Sequence, residues 1–543
     1  MITISQYHKT GLLLRLNCRR DRWRIVTWIV VLAALMASVA AKFDGIYGTP
    51  HEIAAIRQML ASPGIVAMFG AFHFTGRVTT AEIFANEMLL FMALIQVIMN
   101  LTLSIHATRS DEDQGVTELI RAHTVGALAP LAAAMGELVI INGGLSVLYG
   151  LGLQLAHMPG ATTSGNWLIG LGLGTTGLLF GTVGVLTAQL ADHAVSATGL
   201  AYALFGISYL ARMITDVQHP QSTWWSPLGW IEKLSPYQHP NWTPVGLSLL
   251  LTFVVLGCAI FANACRDLGA GALTTRPGRR TASPLLRGPL SLIWRQQRNI
   301  FIGWLLGITL FGVAYGTVFN TIGNILKTNP TMQQVFGRAM VHDANHQILL
   351  NFTSLLAIAM ASVAVIPGLQ LVLKLHTDET HGWLEALYAR PLSRSRLLVS
   401  YVSSALGLST VAYIGGLAGV IVTGNASLDH VQDGISTAEF WQTIAAQLPM
   451  IWVFLALGVG LVGWVPRIKA LSWGYLALGF IAVYMGGLLQ LPTWVQRLAP
   501  TGWMPRVPVH AVNWTTFSWM VALSVLVLFL GWLGYHRRDL QLR

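Results

Sequence analysis

Charged residues are scarce in this 543-residue sequence: Asp, Glu, Lys and Arg together make up only 10%. Soluble domains carry roughly 25%. Cysteine is also rare, and three residues cannot build a disulfide scaffold. Glycine follows no three-residue period, which excludes a collagen-like chain. Because 54% of the residues are hydrophobic, the composition predicts a protein embedded in lipid. In a membrane protein a net charge of +11 reflects the excess of lysine and arginine in the cytosolic loops. We therefore do not take it as a sign of a nucleic-acid partner, and we expect none.

The sequence also lacks the loop that binds ATP in P-loop proteins. That loop needs Gly-Lys before Ser or Thr, so that backbone N–H groups and the ammonium hold the phosphates. None of the six lysines follows a glycine. We therefore expect no cofactor on this chain and no ATP hydrolysis by it.

Long apolar runs predict the architecture. A helix crosses the hydrocarbon core with about 20 apolar residues, and twelve runs qualify: 25–41, 86–106, 127–152, 167–190, 195–215, 244–264, 300–320, 350–373, 397–423, 441–464, 471–489 and 515–534. With both termini in the cytosol, 24 of the 33 lysines and arginines fall in cytosolic segments, as the positive-inside rule requires. The prediction is an all-α polytopic membrane protein with about twelve transmembrane helices. We expect it to lie in a cell membrane, specifically a bacterial plasma membrane.

The sequence repeats itself. Asp-Glu-x-x-Gly-x-x-Glu occurs at 111–118 and at 378–385, 267 residues apart, and Arg-Asp-Leu ends each half at 266–268 and 538–540. Each half also opens with a short apolar and basic segment, which we expect to lie in the inner membrane interface. The predicted domains are 1–268, the first six-span half; 269–299, a cytosolic linker and interfacial segment; and 300–543, the second six-span half. Six spans per repeat make the repeats parallel, with a pseudo-twofold axis along the membrane normal.

The duplicated motif resembles the permease subunit of ABC-2 type exporters, and the tandem twelve-span form is similar to the exporters of polyketide antibiotics and multiple drugs. The resemblance covers nearly the whole chain. It implies that each loop holds a coupling helix that docks on a separate ATP-binding subunit, two copies per permease, which carries ATP and Mg²⁺. The residues that match are Glu112, Gly115 and Glu118, and Glu379, Gly382 and Glu385. The first half departs from the pattern, since Thr124 and Ala127 stand where the second has Pro391 and Arg394.

The residues themselves permit two interpretations of this motif. On one helix, steps of three residues put Glu112, Gly115 and Glu118 near one face, where two carboxylates could receive basic partner residues on either side of a glycine. The alternative is an ordinary solvated loop, whose acids follow the preference for negative charge at a helix N-terminus. The matched second copy favours the first interpretation.

The sequence contains two further candidate sites. Glu137 is predicted near the middle of the third span, as a contact for a cationic substrate or a protonatable gate, or as a structural hydrogen-bonding group. The matched position is Ser404. His342 and His346 are spaced like two zinc ligands, but Asp343 replaces the general base and a third ligand is lacking. We expect a polar outer loop there and no metal site.

The sequence thus predicts a transport subunit that moves hydrophobic or amphipathic compounds, such as antibiotics, out of the cell with energy from another polypeptide. One alternative is an ion-coupled secondary transporter, which should carry several intramembrane carboxylates or broken helices at matched positions. Another is a membrane-bound transferase, which should show a cluster of carboxylates or histidines near one interface.

Overall fold

The fold is described from a computed structural model, which covers residues 4–47, 66, 70, 78–273, 281–317, 319, 345–389, 392–428, 434–484, 493–504 and 506–539. Within these ranges the regular structure is helical and no strand occurs. The chain divides into two compact units, Met1–Gly278 and Arg279–Arg543.

The described residues of the first unit form six long helices and two short ones, apart from single turns. In chain order they are α1 (Thr10–Arg20), α2 (Arg22–Tyr47), α3 (Thr80–Ile105), α4 (Val116–Arg121), α5 (Ala129–Ala156), α6 (Thr163–Leu190), α7 (Ala194–Gln218) and α8 (Thr243–Ala264). A π-helical turn, His106–Ser110, and the turn Asp111–Asp113 extend α3 beyond Ile105. Outside the bilayer, Gly229–Leu234 forms a short 3₁₀ helix.

The second unit repeats this order. Its helices are α9 (Pro289–Gly316), α10 (Asn345–Thr380), α11 (Glu385–Tyr388), α12 (Arg394–Ser427), α13 (Thr437–Trp464), α14 (Leu471–Tyr484) and α15 (Trp514–Arg537). A single turn, Thr493–Gln496, lies between the last two. The short helix α11 falls at the position that α4 has in the first unit.

Eleven of the described helices are long and apolar enough to cross a membrane, and α14 is a shorter apolar helix at the position of the predicted eleventh span. Three spans of each unit, α3, α5 and α6 and then α10, α12 and α13, are mostly buried. The outer spans expose large apolar side chains, such as Phe253, which is 69% exposed on α8. Such surfaces are stable in lipid and not in water. The all-α polytopic membrane fold is confirmed; the layout of twelve spans in two symmetric repeats stays a prediction.

The two units begin differently, although the sequence predicts one interfacial segment for both. In the first unit α1 is a separate helix that ends at Asp21 before α2 begins. In the second, residues 290–299 form the first turns of the continuous helix α9. In the second unit the segment is thus continuous with a long helix, and its position in the membrane interface stays a prediction.

A cluster of amide side chains lies in the core of the first unit. The Gln96 Nε2 and Asn100 Nδ2 groups donate to Asn142 Oδ1 at 2.9 and 3.0 Å, and Asn142 Nδ2 donates to Asn100 Oδ1 at 2.6 Å. The facing residue on α6 is Gly177. Because an amide in an apolar interior must keep its hydrogen bonds, this cluster fixes how α3, α5 and α6 pack.

Replacing Gly177 by alanine should destabilise the first unit. The added methyl carbon would lie 2.7 Å from Asn100 Nδ2 and 2.9 Å from Gln96 Nε2, so the amides must separate at a cost of about 1–3 kcal/mol. Gly143→Ala is the matched control, since nothing lies within 4 Å of the added carbon. Thermal unfolding of the purified protein checks this, and equal melting temperatures for the two variants would contradict it.

Candidate functional site

Residues 111–118, here called loop one, follow the end of α3. From Thr80 to Asp113 the helix runs for 34 residues, more than the roughly 20 that cross the hydrocarbon, so its last turns extend beyond the bilayer. The helix ends at Gly115, whose φ of +74° is left-handed and favours glycine. The Gly115 N–H donates to the Glu112 carbonyl at 3.0 Å, and α4 begins at the next residue.

Residues 378–385, here called loop two, have the same backbone turn. Gly382 has φ +73°, and its N–H donates to the Glu379 carbonyl at 3.0 Å. In loop one the Ala122 N–H donates to the Glu118 carbonyl at 2.9 Å, and in loop two the Ala389 N–H donates to the Glu385 carbonyl at the same distance. Two copies 267 residues apart therefore fold alike.

This turn corrects one sequence expectation. Glu112, Gly115 and Glu118 do not lie on one face of one helix, because the left-handed glycine ends the first helix and Glu118 belongs to the second, which begins at Val116. The two glutamates instead have opposite environments. Glu112 is buried and Glu118 is exposed, and in loop two Glu379 is fully buried while Glu385 is exposed.

The buried Glu112 is held by Arg266, the first residue of the Arg-Asp-Leu sequence after α8. Arg266 donates through Nη1 to Oε1 at 2.7 Å and through Nη2 to Oε2 at 2.9 Å. The Gly269 N–H donates to Oε1 at 2.7 Å, and Arg109 Nη1 to Oε2 at 3.1 Å. We call the Glu112–Arg266 pair the first clamp. It joins loop one to the end of the last helix of the unit.

The second unit has the equivalent pair. Arg538, from the second Arg-Asp-Leu sequence, donates through Nη2 to Glu379 Oε2, and we call this pair the second clamp. The Arg394 guanidinium donates to the Arg538 carbonyl at 3.0 Å. A hydrogen bond of 3.0 Å between the Tyr388 and Tyr535 hydroxyls also ties α11 to α15. The two repeated sequence motifs thus meet in both units.

Sequence reasoning singled out both motifs but did not pair them. Glu112 and Arg266 are 154 residues apart, and Glu379 and Arg538 are 159 residues apart. The signal that could have found the pairs was the recurrence of both motifs in the same order in each half. Neither arginine was predicted as a site residue.

The neighbours of the clamps differ between the units. Asp111 pairs with Arg20 of α1, with Nη1 2.8 Å from Oδ2. Its counterpart Asp378 instead accepts from Lys374 Nζ at 2.7 Å and from the Tyr401 hydroxyl at 2.6 Å. Each loop is therefore held in place, but by different side chains.

Position 109 of the first unit corresponds to position 376 of the second. Arg109, which is fully buried, bonds Glu112 and also donates to the Gly269 carbonyl at 2.8 Å. In the second unit the side chain is His376, whose Nδ1 lies 3.8 Å from Glu379 Oε2. A guanidinium is charged at any physiological pH, whereas an imidazole is not. Among the described residues, the first clamp consequently has a second permanent cation for which the second clamp shows no equivalent.

Each loop also exposes an apolar side chain beside its exposed glutamate. Leu119 is 72% exposed next to Glu118, and Trp383 is 62% exposed close to Glu385. In each case the buried ion pair fixes the backbone, and the exposed face carries a carboxylate and an apolar group. This combination suits a contact with another protein.

Glu137 lies closer to one end of its helix than the sequence predicts. It is the ninth residue of the 28-residue helix α5, about 8 Å along the axis from the helix middle. The side chain is buried, and its Oε2 has no hydrogen-bond partner in the part of the chain that the structure describes. Charged groups around it include Asp21 and Arg20. It therefore faces the α1 end of the unit, and a role in a substrate pathway stays a prediction.

The histidine pair can be followed only in part, because His342 lies outside the described residues. His346 Nε2 lies 3.5 Å from Glu439 Oε1. Among the described residues no group of three His, Cys, Asp or Glu side chains is placed to hold a metal ion.

Two comparisons with known proteins bear on this arrangement. Residues 286–536 match the family model described as multidrug efflux system permease Rv1217c, C-terminal domain. The chain is also 33% identical over 537 residues to the multidrug efflux system permease protein Rv1217c of Mycobacterium tuberculosis (strain ATCC 25618 / H37Rv), which covers 97% of this chain and 95% of that protein. The chain belongs to this family of efflux permeases. It is therefore a multi-pass membrane permease, and a transport protein rather than an enzyme.

The permease has a third buried ionic cluster, which the sequence analysis missed. Arg212 Nε lies 2.7 Å from Asp216 Oδ2 and 2.5 Å from Glu232 Oε1, and all three side chains are buried. One guanidinium thus faces two carboxylates. Burial raises the pKa of Glu232 to about 8. The negative charge of Asp216 acts in the same direction, and the positive charge of Arg212 acts against it. Little in the sequence indicated this cluster, since Glu232 lies outside the predicted spans and 20 residues from Arg212.

The stability of the permease should therefore fall as the pH rises from about 5 to about 8. Because the pKa of Glu232 in the folded state lies above its ordinary value, the protonated carboxyl stabilises the fold fully at low pH, and this contribution is lost as the pH rises through about 8. In Glu232→Gln the melting temperature should depend less on pH. At pH 9 it should lie about 2 °C or more above that of the wild type. The exposed Asp267→Asn is the control. Parallel pH profiles for all three proteins would contradict the assignment.

Proposed function

We propose that this permease is the membrane-spanning subunit of an ABC-type exporter of the ABC-2 class. Two copies of a separate ATP-binding subunit dock on loop one and loop two, and ATP and Mg²⁺ bind to that subunit while the permease carries no cofactor. The cargo is a hydrophobic or amphipathic compound such as an antibiotic, which moves out of the cell. The relative's name, multidrug efflux system permease, supports this cargo class. The protein lies in the bacterial plasma membrane with both termini in the cytosol.

The observation that carries the proposal is the duplicated loop. Each copy has a left-handed glycine, a buried glutamate clamped to an arginine at the end of the unit, and an exposed glutamate beside an exposed apolar side chain. A loop that was merely solvated would not need a buried ion pair to fix its backbone, because burying two charges costs several kcal/mol each. Two matched copies suit two matched partner subunits.

The clamps suggest how movement of a docked subunit reaches the bilayer. Loop one continues α3 directly and is joined to the end of α8 by the first clamp. Loop two continues α10 and is joined to the end of α15 by the second clamp and the Tyr388–Tyr535 bond. A push on either loop therefore acts on two membrane helices at once. We propose that ATP binding and hydrolysis change the packing of the spans in this way.

The exposed carboxylates supply the docking contacts. Glu118 and Glu385 occupy the first turns of α4 and α11, where they can receive basic side chains of the partner. Charge-assisted hydrogen bonds of this kind contribute roughly 1.5–3 kcal/mol each. Leu119 and Trp383 would be covered in the same contact.

Affinity purification of the full permease in a mild detergent tests the proposal. We expect a second polypeptide with a Gly-Lys-Ser/Thr loop to copurify at two copies per permease, and the preparation to hydrolyse ATP. Absence of any nucleotide-hydrolysing companion would refute the proposal. Transport that stops with a proton-gradient uncoupler while ATP stays high would instead favour the ion-coupled alternative.

A further inference from the structure

A cavity of about 350 Å³ lies beside loop two in the second unit. The first turns of α9, the end of α10, loop two and the first turns of α12 line it. Its volume falls in the range of small-molecule sites, roughly 300–1,000 Å³. By position it lies where these helices meet the loop, at one end of the bundle.

The walls of the cavity have two chemical characters. One wall is apolar and is made by Ile293, Leu384 and Leu397, all buried. The other is polar and includes the amide of Gln297, the ammonium of Lys374 and the carboxylate of Asp378, which pairs with that ammonium. A site that is apolar on one side with a few polar groups on the other fits an amphipathic molecule.

Gln297 is the unusual residue in this wall. On α9 it lies four residues from each of the buried side chains Ile293 and Phe301, and so on the packing face of the helix. It is half-buried, and its amide makes no hydrogen bond to a described residue. The amide is not among the buried groups without a partner, so it is open to the cavity that it lines and can bond a molecule there.

Lys374 offers a second donor. Its ammonium has three N–H groups, of which one bonds Asp378 Oδ1 at 2.7 Å. It also lies 5.3 Å from the centre of the Trp383 ring. Two donors, Gln297 and Lys374, thus stand beside an apolar wall.

The first unit has a different arrangement around Asp111, the counterpart of Asp378. There Asp111 pairs with Arg20 of the separate helix α1, and Leu13 of α1 packs in an apolar cluster with Ala129 and Ala133 of α5. In the second unit α9 is continuous. In the described part of the second unit, the first turns of the continuous helix α9 therefore line the cavity, in place of a separate helix such as α1.

From these observations we infer that the cavity binds one amphipathic molecule. Its apolar body lies against Ile293, Leu384 and Leu397, and a hydrogen-bond-accepting head, such as a sulfonate, phosphate or carbonyl group, lies at Gln297 and Lys374. Because Leu384 belongs to loop two, the occupant touches the loop that we propose to contact the ATP-binding subunit, and only this last step rests on the proposed function. The head chemistry is shared by anionic phospholipids and by many exported compounds.

The inference can be tested on the purified permease alone, in nanodiscs of phosphatidylcholine. The probe is 1-anilinonaphthalene-8-sulfonate, which has an aromatic body and a sulfonate head. We expect saturable fluorescence enhancement in the wild type and at least tenfold weaker binding in Gln297→Trp, which fills the cavity. Gln297→Leu keeps the volume and removes the amide, so it should weaken binding by about fivefold. Ile302→Trp is the matched control, because Ile302 is 51% exposed on the outer face of α9.

Competition identifies the natural occupant. Displacement of the probe by phosphatidylglycerol in the disc supports a lipid, and displacement by an antibiotic that the cells export supports the cargo. Equal binding by the wild type and both Gln297 variants would overturn the inference, as would an equal loss in Ile302→Trp. The assay contains no ATP-binding subunit, so a failed copurification would refute the proposed function without affecting this result.

Discussion

Arg538→Ala is expected to reduce transport at least tenfold, whereas Arg537→Ala leaves it unchanged. Arg538 is mostly buried and pairs with Glu379, which is fully buried, while the adjacent Arg537 is exposed. Removing one partner of a buried ion pair leaves the other charge uncompensated, which costs about 3–5 kcal/mol. The loop would then leave its position, and the link between loop two and α15 would be lost.

Efflux from whole cells and the protein level in the membrane must be measured together. A variant that reaches the membrane in normal amount but does not export fits the clamp; a variant that fails to accumulate would show only that the pair is needed for folding. In that case Glu379→Gln, which removes the charge and keeps the shape, is the second variant. Normal export in both Arg538→Ala and Glu379→Gln would contradict the account.

The first clamp permits the same comparison with its own control. Arg266 is held between Glu112 and Gln189, while Asp267 beside it is exposed. Since Arg109 also bonds Glu112, Arg266→Ala leaves one cation in place. We therefore expect a smaller loss of transport than in Arg538→Ala, and Asp267→Ala should behave as the wild type. A larger loss at the first clamp would contradict the role given to Arg109.

The double variant Glu118→Ala with Glu385→Ala is expected to uncouple ATP hydrolysis from export. Both carboxylates are exposed and lie outside the clamps, so the fold and the melting temperature should not change. Each ATP-binding subunit would lose one charge-assisted bond, worth roughly 1.5–3 kcal/mol, which weakens its docking about ten- to a hundredfold.

Copurification of the partner and efflux are the two measurements for this variant. Asp267→Ala is again a suitable control, because it removes an exposed carboxylate at the same end of the first unit. Unchanged efflux in the double variant would remove the coupling role from the two loops. Each single variant should show an intermediate loss, since the other loop remains intact.

Hydropathy was enough to place the spans. The predicted 167–190 and 441–464 fall within the observed helices α6 and α13, because a run of about 20 apolar residues has few other stable structures in lipid. The start of the second unit was harder, since a basic amphipathic segment reads alike as a separate interfacial helix or as the first turns of a longer one.

The candidate site was only partly predictable. The repeat identified Glu112 and Glu379 as special, but its spacing suggested one continuous helix, and the left-handed glycine that ends this helix is visible only in the backbone. The arginines of the clamps come from about 155 residues further along the chain. A contact over that distance is set by how the helices pack, which no local pattern records.

Site-directed crosslinking tests the central claim most directly. The free cysteines Cys18, Cys258 and Cys265 are replaced by serine, and Leu119→Cys or Trp383→Cys then carries a short photoreactive group in the native membrane. The account predicts that both positions crosslink to a polypeptide with a Gly-Lys-Ser/Thr loop, and that Trp225→Cys, at an exposed position between α7 and α8, does not. Labelling of positions 119 and 383 by a membrane-impermeant reagent added outside intact cells would contradict it.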